Sequence, residues 1–262
     1  MIHFNVISIF PEFVSHGINQ GVVGQALKKG IISLTTVTPR EYTSDFHKTV
    51  DDRPFGGGDG MIMLYEPLNL ALKNLAENKR GKVIYLSPQG KKLDQAKVVE
   101  FSKEQNLTLV CGRYGGVDQR FINEWVDEEV SIGDYVISGG ELGALVLIDA
   151  VSRQVPGVLG HSESSIKDSF SDSTLEHPQF TRPRVLSDQS VPEILLSGDH
   201  KKIDQWKKKV SLLVTLQKRP DLVDIKSIDS KEKTGLRDFF KTLSNQDKSA
   251  LGLEKFDLSE YF

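Results

Sequence analysis

Three glycine-rich segments hold most of the residues in this chain that could do chemistry: SPQGKK at 87–92, CGRYGGVD at 111–118 and SIGDYVISGGE at 131–141. Glycine lets backbone amides and carbonyls approach a ligand closely, and in parallel α/β sheets ligands bind where loops leave the carboxyl ends of strands. A single such loop reads better as a steric strand end. Three at corresponding positions point to a shared pocket. A fourth segment, VDDRPFGGGDGM at 50–61, sets Arg53 beside Asp51, Asp52 and four glycines. It reads either as a turn-rich surface loop or as an arm that grips a phosphate or a ring, with Asp51 and Asp52 holding the Arg53 guanidinium.

From 199 to 219 the chain carries Lys201, Lys202, Lys207, Lys208, Lys209, Lys218 and Arg219 against Asp199 and Asp204. Such a cluster can bind a phosphate backbone, although alone it reads as a solvated helix face. The whole chain has 33 Lys and Arg against 36 Asp and Glu, a net charge of −3. No global basic field draws it to nucleic acid, so any polyanion site must be local.

Several chemistries lack their signatures. There is no G-x-x-x-x-G-K-[ST], no G-x-S-x-G and no H-E-x-x-H. SGGELG at 138–143 fits the dinucleotide fingerprint only with Ser138 in place of its first glycine. The six histidines, His3, His16, His47, His161, His177 and His200, have no metal-binding spacing. The single cysteine, Cys111, can form no internal disulfide and reads as a buried strand-end thiol. The N-terminus lacks a basic n-region, no apolar run is long enough to span a membrane, and the sequon at Asn106 has no secretory context. A cytoplasmic protein is expected.

The elements that must position these loops follow from periodicity. Strands are predicted at 2–9, 31–38, 82–87, 107–111 and 126–132, and helices at 22–29, 66–78, 94–103, 118–124 and 140–155. Residues 40–60 show no clear period. Strands separated by helices require crossovers, hence an α/β fold with a mostly parallel sheet. The chain is long enough for one large domain or two smaller ones. After Pro156 the composition changes. Residues 161–175, HSESSIKDSFSDSTL, read as a mobile linker or lid. A helical region follows, with Ile203, Trp206, Val210, Leu213 and Val214 on one apolar stripe.

VDDRPFGGGDGM, YLSPQGKKLDQ, LVCGRYGGVDQR, SIGDYVISGGEL, VSRQVPGVLG, DSF, TRP and VPEILLSGDH occur here in one order across about the first 210 residues. As an ordered set they resemble the bacterial tRNA (guanine-N1)-methyltransferase family, TrmD, of the SPOUT superfamily. The resemblance implies a mostly parallel α/β sheet with a deep trefoil knot, an exception to the usual absence of knots. It also implies a catalytic domain at 1–160, a mobile linker at 161–176 and a small helical tRNA-binding domain at 177–262. Members are homodimers with active sites at the subunit interface. They transfer a methyl group from S-adenosylmethionine to N1 of guanine at tRNA position 37, when guanine precedes it.

By the same resemblance Asp168 matches the general base and Arg153 the cation that stabilises charge developing on guanine O6. Tyr85, Leu86, Ser87 and Pro88, with Gly112, with Ile132, Gly133, Asp134, Tyr135, Val136 and Ile137, and with Gly139 and Gly140, match the cofactor pocket. Asp52, Arg53 and the glycine arm would lie toward the tRNA. Gly115 departs from the family pattern, which has a glutamate there linked to Mg2+ dependence, and Gln119 replaces a common acid nearby. The loss of that carboxylate implies normal cofactor binding with slower turnover or altered magnesium response. Two alternatives stand beside this reading: an RNA-binding protein of the same fold with weakened catalysis, and a small-molecule methyltransferase, which the lysine-rich segment disfavours.

Overall fold

A computed structural model describes residues 1–160, 168–187 and 189–262 and divides into two compact units, Met1–Ser165 and Ile166–Phe262. In the first, β1 (Ile2–Ile7), α1 (Pro11–Ile18), α2 (Gly21–Lys28) and β2 (Ile32–Val37) lead to a short hairpin of β3 (Asp51–Asp52) and β4 (Ile62–Met63). Then follow α3 (Tyr65–Asn74), α4 (Glu77–Arg80), β5 (Lys82–Lys92), α5 (Gln95–Phe101), β6 (Asn106–Cys111), α6 (Gln119–Trp125), β7 (Glu128–Ser131) and α7 (Glu141–Arg153). The five main strands form one sheet in the order β2-β1-β6-β5-β7, and every pairing in it is parallel.

Strand alternation divides the core into two layers. Ile84 and Leu86 of β5 join Leu107, Leu109 and Cys111 of β6 in one apolar cluster, with Leu147, Ile148 and Val151 of α7 and residues of α1, α2 and α5. Val83 and Tyr85 face the opposite cluster, with Val110 of β6, Leu68 and Leu72 of α3 and Phe121 of α6. Helices therefore cover both faces, which is the condition for an all-parallel sheet. Two buried polar side chains inside it are joined in a chain of bonds: Asn5 Nδ2 donates to Thr108 Oγ1 at 3.2 Å, and Thr108 Oγ1 donates to the Arg80 carbonyl at 2.5 Å.

The structure departs from the sequence expectations at four places. Pro11, read as the end of a strand, opens α1 at its first turn, where a missing N–H costs nothing. The helix expected over 66–78 breaks after Asn74, because Leu75 turns to extended backbone and buries its side chain. The 87–92 segment is not a loop. It continues β5, which bulges after Leu86 and rejoins β7 at Lys91 opposite Val130. Part of the aperiodic 40–60 stretch supplies β3.

The second unit contains a hairpin of β8 (Val185–Leu186) and β9 (Gln189–Ser190), then α8 (His200–Lys218), α9 (Ser230–Thr242) and α10 (Asn245–Ala250). Trp206, Val210, Leu213 and Val214 of the expected stripe are buried with Leu236, Leu251 and Leu253, and Ile203 is half-buried. Lys201, Lys202, Lys208 and Lys209 are exposed. Asp199, Asp229 and Ser244 cap the three helices through their side chains. Among the described residues, no helix is long and apolar enough to cross a membrane.

Candidate functional site

The carboxyl ends of β5, β6 and β7 and the start of α7 enclose a cavity of about 430 Å³. Strand β5 contributes Tyr85, Leu86, Ser87 and Pro88. Gly112 follows β6. The turn after β7 contributes Ile132, Gly133, Tyr135, Val136 and Ile137, and Gly139 and Gly140 enter α7. These are the residues expected for the cofactor, with one exception. Asp134 does not line the cavity, because its carboxylate pairs with Lys92 Nζ at 2.5 Å on the surface.

Glycine is required at the floor of this cavity. A Cβ at Gly112 would lie 2.7 Å from the Tyr85 hydroxyl, and one at Gly140 would lie 2.8 Å from the Cys111 Cα. These close approaches let Gly140 N donate to the Gly112 carbonyl at 2.9 Å, which ties the entry of α7 to the end of β6. Tyr85 is buried, and that burial, with the nearby Glu129 charge, raises its hydroxyl above the ordinary tyrosine value. Cys111 is fully buried; desolvation, with Glu141 nearby, pushes its thiol well up, so it is inert as a nucleophile.

Beside the cavity lies a buried ionic group that sequence reasoning missed. Glu141, 1% exposed, accepts from Ser8 Oγ at 2.6 Å and from Arg113 Nε at 3.0 Å. Arg113 Nη1 donates to the Ser138 carbonyl at 3.2 Å, and its guanidinium lies 4.6 Å from the centre of the Phe10 ring. Ser8 is 133 positions from Glu141, and no local pattern announces a contact of that range.

The glycine arm joins the cavity wall through its base. Met63 N donates to the Gly116 carbonyl at 2.9 Å, Gly115 N to the Met61 carbonyl at 2.8 Å, and Asp118 N to the Met63 carbonyl at 3.1 Å. Asp51 and Asp52 do not hold the Arg53 guanidinium as expected. Asp52 Oδ1 instead accepts the backbone N–H of Arg53 at 2.7 Å, and no ion pair joins Arg53 to either acid among the described residues. Phe55 is fully exposed.

Arg153 is the last residue of α7 in the first unit, and Asp168 belongs to the second. Of the expected 161–176 linker, residues 161–167 lie outside the described residues. The remainder, 168–176, is bonded to α8. Leu175 N donates to Thr215 Oγ1 at 2.8 Å, and Ser211 Oγ donates to Thr174 Oγ1 at 3.0 Å and to the Leu175 carbonyl. Within the turn, Ser171 N donates to the Asp168 carbonyl at 3.3 Å, and Phe170 N to the Thr174 carbonyl at 2.7 Å. Among the described residues no three His, Cys, Asp or Glu side chains gather as a metal site would require.

The sequence pattern of the family described as tRNA (Guanine-1)-methyltransferase TrmD matches residues 2–225. A protein from Pseudoalteromonas atlantica named tRNA (guanine-N(1)-)-methyltransferase is 48% identical over 256 residues, covering 97% of each chain. Its namesake from Pseudomonas fluorescens is 51% identical over 240 residues, 91% of this chain and 96% of that one. Another, from Pseudomonas aeruginosa strain PAO1, is 50% identical over 239 residues, 90% and 95% of the two chains. With its sheet, its glycine-lined cavity and a match that runs through both units, the chain belongs to the tRNA (guanine-1)-methyltransferase TrmD family.

Proposed function

We propose that this protein methylates N1 of guanine 37 in tRNA, with S-adenosylmethionine as donor. The observation that carries the reading is the convergence of the β5, β6 and β7 ends on one cavity whose floor is glycine backbone. Backbone N–H and C=O groups there offer paired donors and acceptors that can read an adenine edge without a dedicated side chain. S-adenosylmethionine supplies an activated methyl group on a sulfonium, which is already a good electrophile. The task left to the chain is alignment and removal of the N1 proton.

In this reading Asp168 accepts the N1 proton as the N1–methyl bond forms and the sulfur–methyl bond breaks, leaving S-adenosylhomocysteine. Arg153 stabilises the negative charge that spreads to guanine O6 as that proton leaves. Tyr85 and the 132–137 turn orient the cofactor. The exposed lysines of α8 bear on the tRNA, in keeping with their charge, and the largely exposed arm at 53–61 lies toward it.

The same reading includes a homodimer, the SPOUT trefoil knot, a catalytic domain at 1–160 joined through a linker to a tRNA-binding domain at 177–262, and a cytoplasmic location. Leu142 and Val146, one helical turn apart on α7 and both about half exposed, support the dimer as an uncovered apolar face. The relatives compared are named methyltransferases, and no observation favours a non-catalytic RNA-binding protein.

Transfer of labelled methyl from S-adenosylmethionine to two tRNA transcripts, with guanine or adenine at position 37, tests the proposal, each with and without Mg2+. Transfer to the guanine transcript alone is the expected result. Tight binding of both ligands with no transfer would overturn it.

A further inference from the structure

Ser8, Glu141 and Arg113 form one hydrogen-bonded group. It joins three segments far apart in sequence: the residue after β1, the loop after β6 and the first residue of α7. The last two adjoin the cavity wall. Glu141 directly follows Gly139 and Gly140, and Arg113 follows Gly112. Residues Arg113 and Gly139 also form an isolated antiparallel bridge, and a Cβ at Gly139 would meet Arg113 Nε at 2.2 Å and Glu141 Oε2 at 2.6 Å. The 138–140 turn is thus pressed against the ion pair on one side and faces the cavity on the other.

A carboxylate at this depth is costly unless its oxygens are satisfied. Here Oε1 takes the Ser8 hydroxyl and Oε2 the Arg113 guanidinium, and Ser8 Oγ in turn accepts the Phe10 N–H at 2.9 Å. Glu141 also begins α7, where the helix N-terminus favours a negative charge. The charge therefore has three independent supports, and Arg113 is fixed at both Nε and Nη1, the second bond reaching the turn itself through the Ser138 carbonyl.

From this geometry we infer that Ser8 and Glu141 are positioning residues for the cofactor cavity. Acting through Arg113, they hold the 138–140 turn at the height that lets an S-adenosyl ligand lie against Gly112, Gly139 and Gly140. The inference rests on the cavity being the cofactor site. Its signature is selective: cofactor affinity depends on the group, and tRNA affinity does not.

The test measures S-adenosylmethionine Kd by calorimetry, tRNA Kd by filter binding, and thermal melting for the full-length protein and for Ser8→Ala, Ser8→Thr and Glu141→Gln. Loss of a hydrogen bond to a charged group bounds the effect, and we expect cofactor Kd to rise about tenfold in Ser8→Ala and Glu141→Gln. The tRNA Kd should stay within about twofold. Ser8→Thr keeps the hydroxyl but crowds a fully buried position, so it should melt earlier while retaining cofactor affinity. Folded Ser8→Ala and Glu141→Gln with unchanged cofactor Kd would overturn the inference, as would affinity that simply tracks melting temperature in Ser8→Thr. If the unsubstituted chain itself binds no S-adenosylmethionine, the reading of the cavity fails, and this inference with it.

Discussion

The Tyr85 hydroxyl stands where a side chain at Gly112 would begin: an added Cβ would come within 2.7 Å of the oxygen and 2.9 Å of Cε2. Gly112→Ala must therefore displace a ring that is 6% exposed, in a wall of the proposed cofactor cavity. Overpacking of this kind costs about 1–3 kcal/mol. We expect a lower melting temperature and about a tenfold weaker S-adenosylmethionine Kd. Adding Tyr85→Phe removes the nearest atom but leaves the ring carbons close, so the double variant should recover part of the loss. Strictly additive effects in that cycle would show that the two residues do not compete for this space.

With Asp168 proposed as the base and Arg153 as the charge-stabilising cation, Asp168→Asn and Arg153→Ala should separate chemistry from binding. Loss of a general base lowers turnover about 10²–10⁴-fold, and loss of one charge-stabilising group about 10²–10³-fold. With tRNA saturating, kcat should fall over these ranges while S-adenosylmethionine Kd changes less than about twofold. Single-turnover methyl transfer reads the first quantity and calorimetry the second. An Asp168→Asn protein with full kcat would remove Asp168 from the reaction.

Along the β5–β7 edge, Glu128 pairs with Lys82 Nζ at 2.9 Å and Lys97 Nζ at 3.0 Å. Partial burial by itself raises the Glu128 pKa, but the hydrogen bonds from the two lysines outweigh it and hold the carboxyl below its ordinary value. A depressed pKa means that the unfolded chain takes up the proton first as pH falls. The stabilisation is therefore present above the ordinary glutamate value and is lost as pH drops through the folded one. Glu128→Gln should melt earlier than the unsubstituted protein at pH 7, by up to about 1 kcal/mol in stability. The difference should shrink below about pH 4 and at high salt. A gap that persists at low pH would show that the loss is one of packing.

The parallel sheet was legible because short apolar runs, VIYL at 83–86 and LTLVC at 107–111, are separated by helical segments; in the structure both faces of these strands are buried, Val83, Tyr85 and Val110 on one side and Ile84, Leu86, Leu107, Leu109 and Cys111 on the other. Helix α1 was hidden because Pro11 serves equally as a strand end and as a first helical residue. The extension of β5 through Lys92 depends on its pairing with Val130 and Ser131 across a bulge, a property of the partner strand rather than of the SPQGKK segment. At the site, glycine clustering located the cavity but could not separate Asp134, which pairs with Lys92, from its neighbours that line the wall. Ser8 and Glu141 were illegible, since each looks ordinary where it stands. The roles given to Asp168 and Arg153 came through resemblance and not from any local pattern.

Leu142 and Val146 leave an apolar strip exposed on α7, the helix that begins at the cavity. If this face seats a second copy, Leu142→Asp together with Val146→Asp should place like charges across the contact and expel the partner. Sedimentation should show a dimer for the unsubstituted protein and a monomer for the variant, and methyl transfer should fall with it if the proposed dimer completes the site. A variant that remains dimeric would move the interface elsewhere.

Gly115 decides whether the missing glutamate matters. Its N–H donates to the Met61 carbonyl at 2.8 Å, and an added Cβ would sit 3.0 Å from that same oxygen and 3.1 Å from Ile62 Cδ1. The contact is tight without demanding left-handed backbone, so a side chain fits after a shift of a few tenths of an ångström. Gly115→Ala and Gly115→Glu share this steric term and should lose similar stability, about 1 kcal/mol. Only the glutamate adds a carboxylate to the cavity lining, where it can recruit a hard cation or alter the field on a nearby proton acceptor. Methyl transfer titrated with Mg2+ should therefore respond differently in Gly115→Glu, while Gly115→Ala follows the unsubstituted protein. Identical magnesium curves for all three would mean that the carboxylate at this position plays no part in the magnesium response, and that the glycine is merely a close-packed turn residue against Met61.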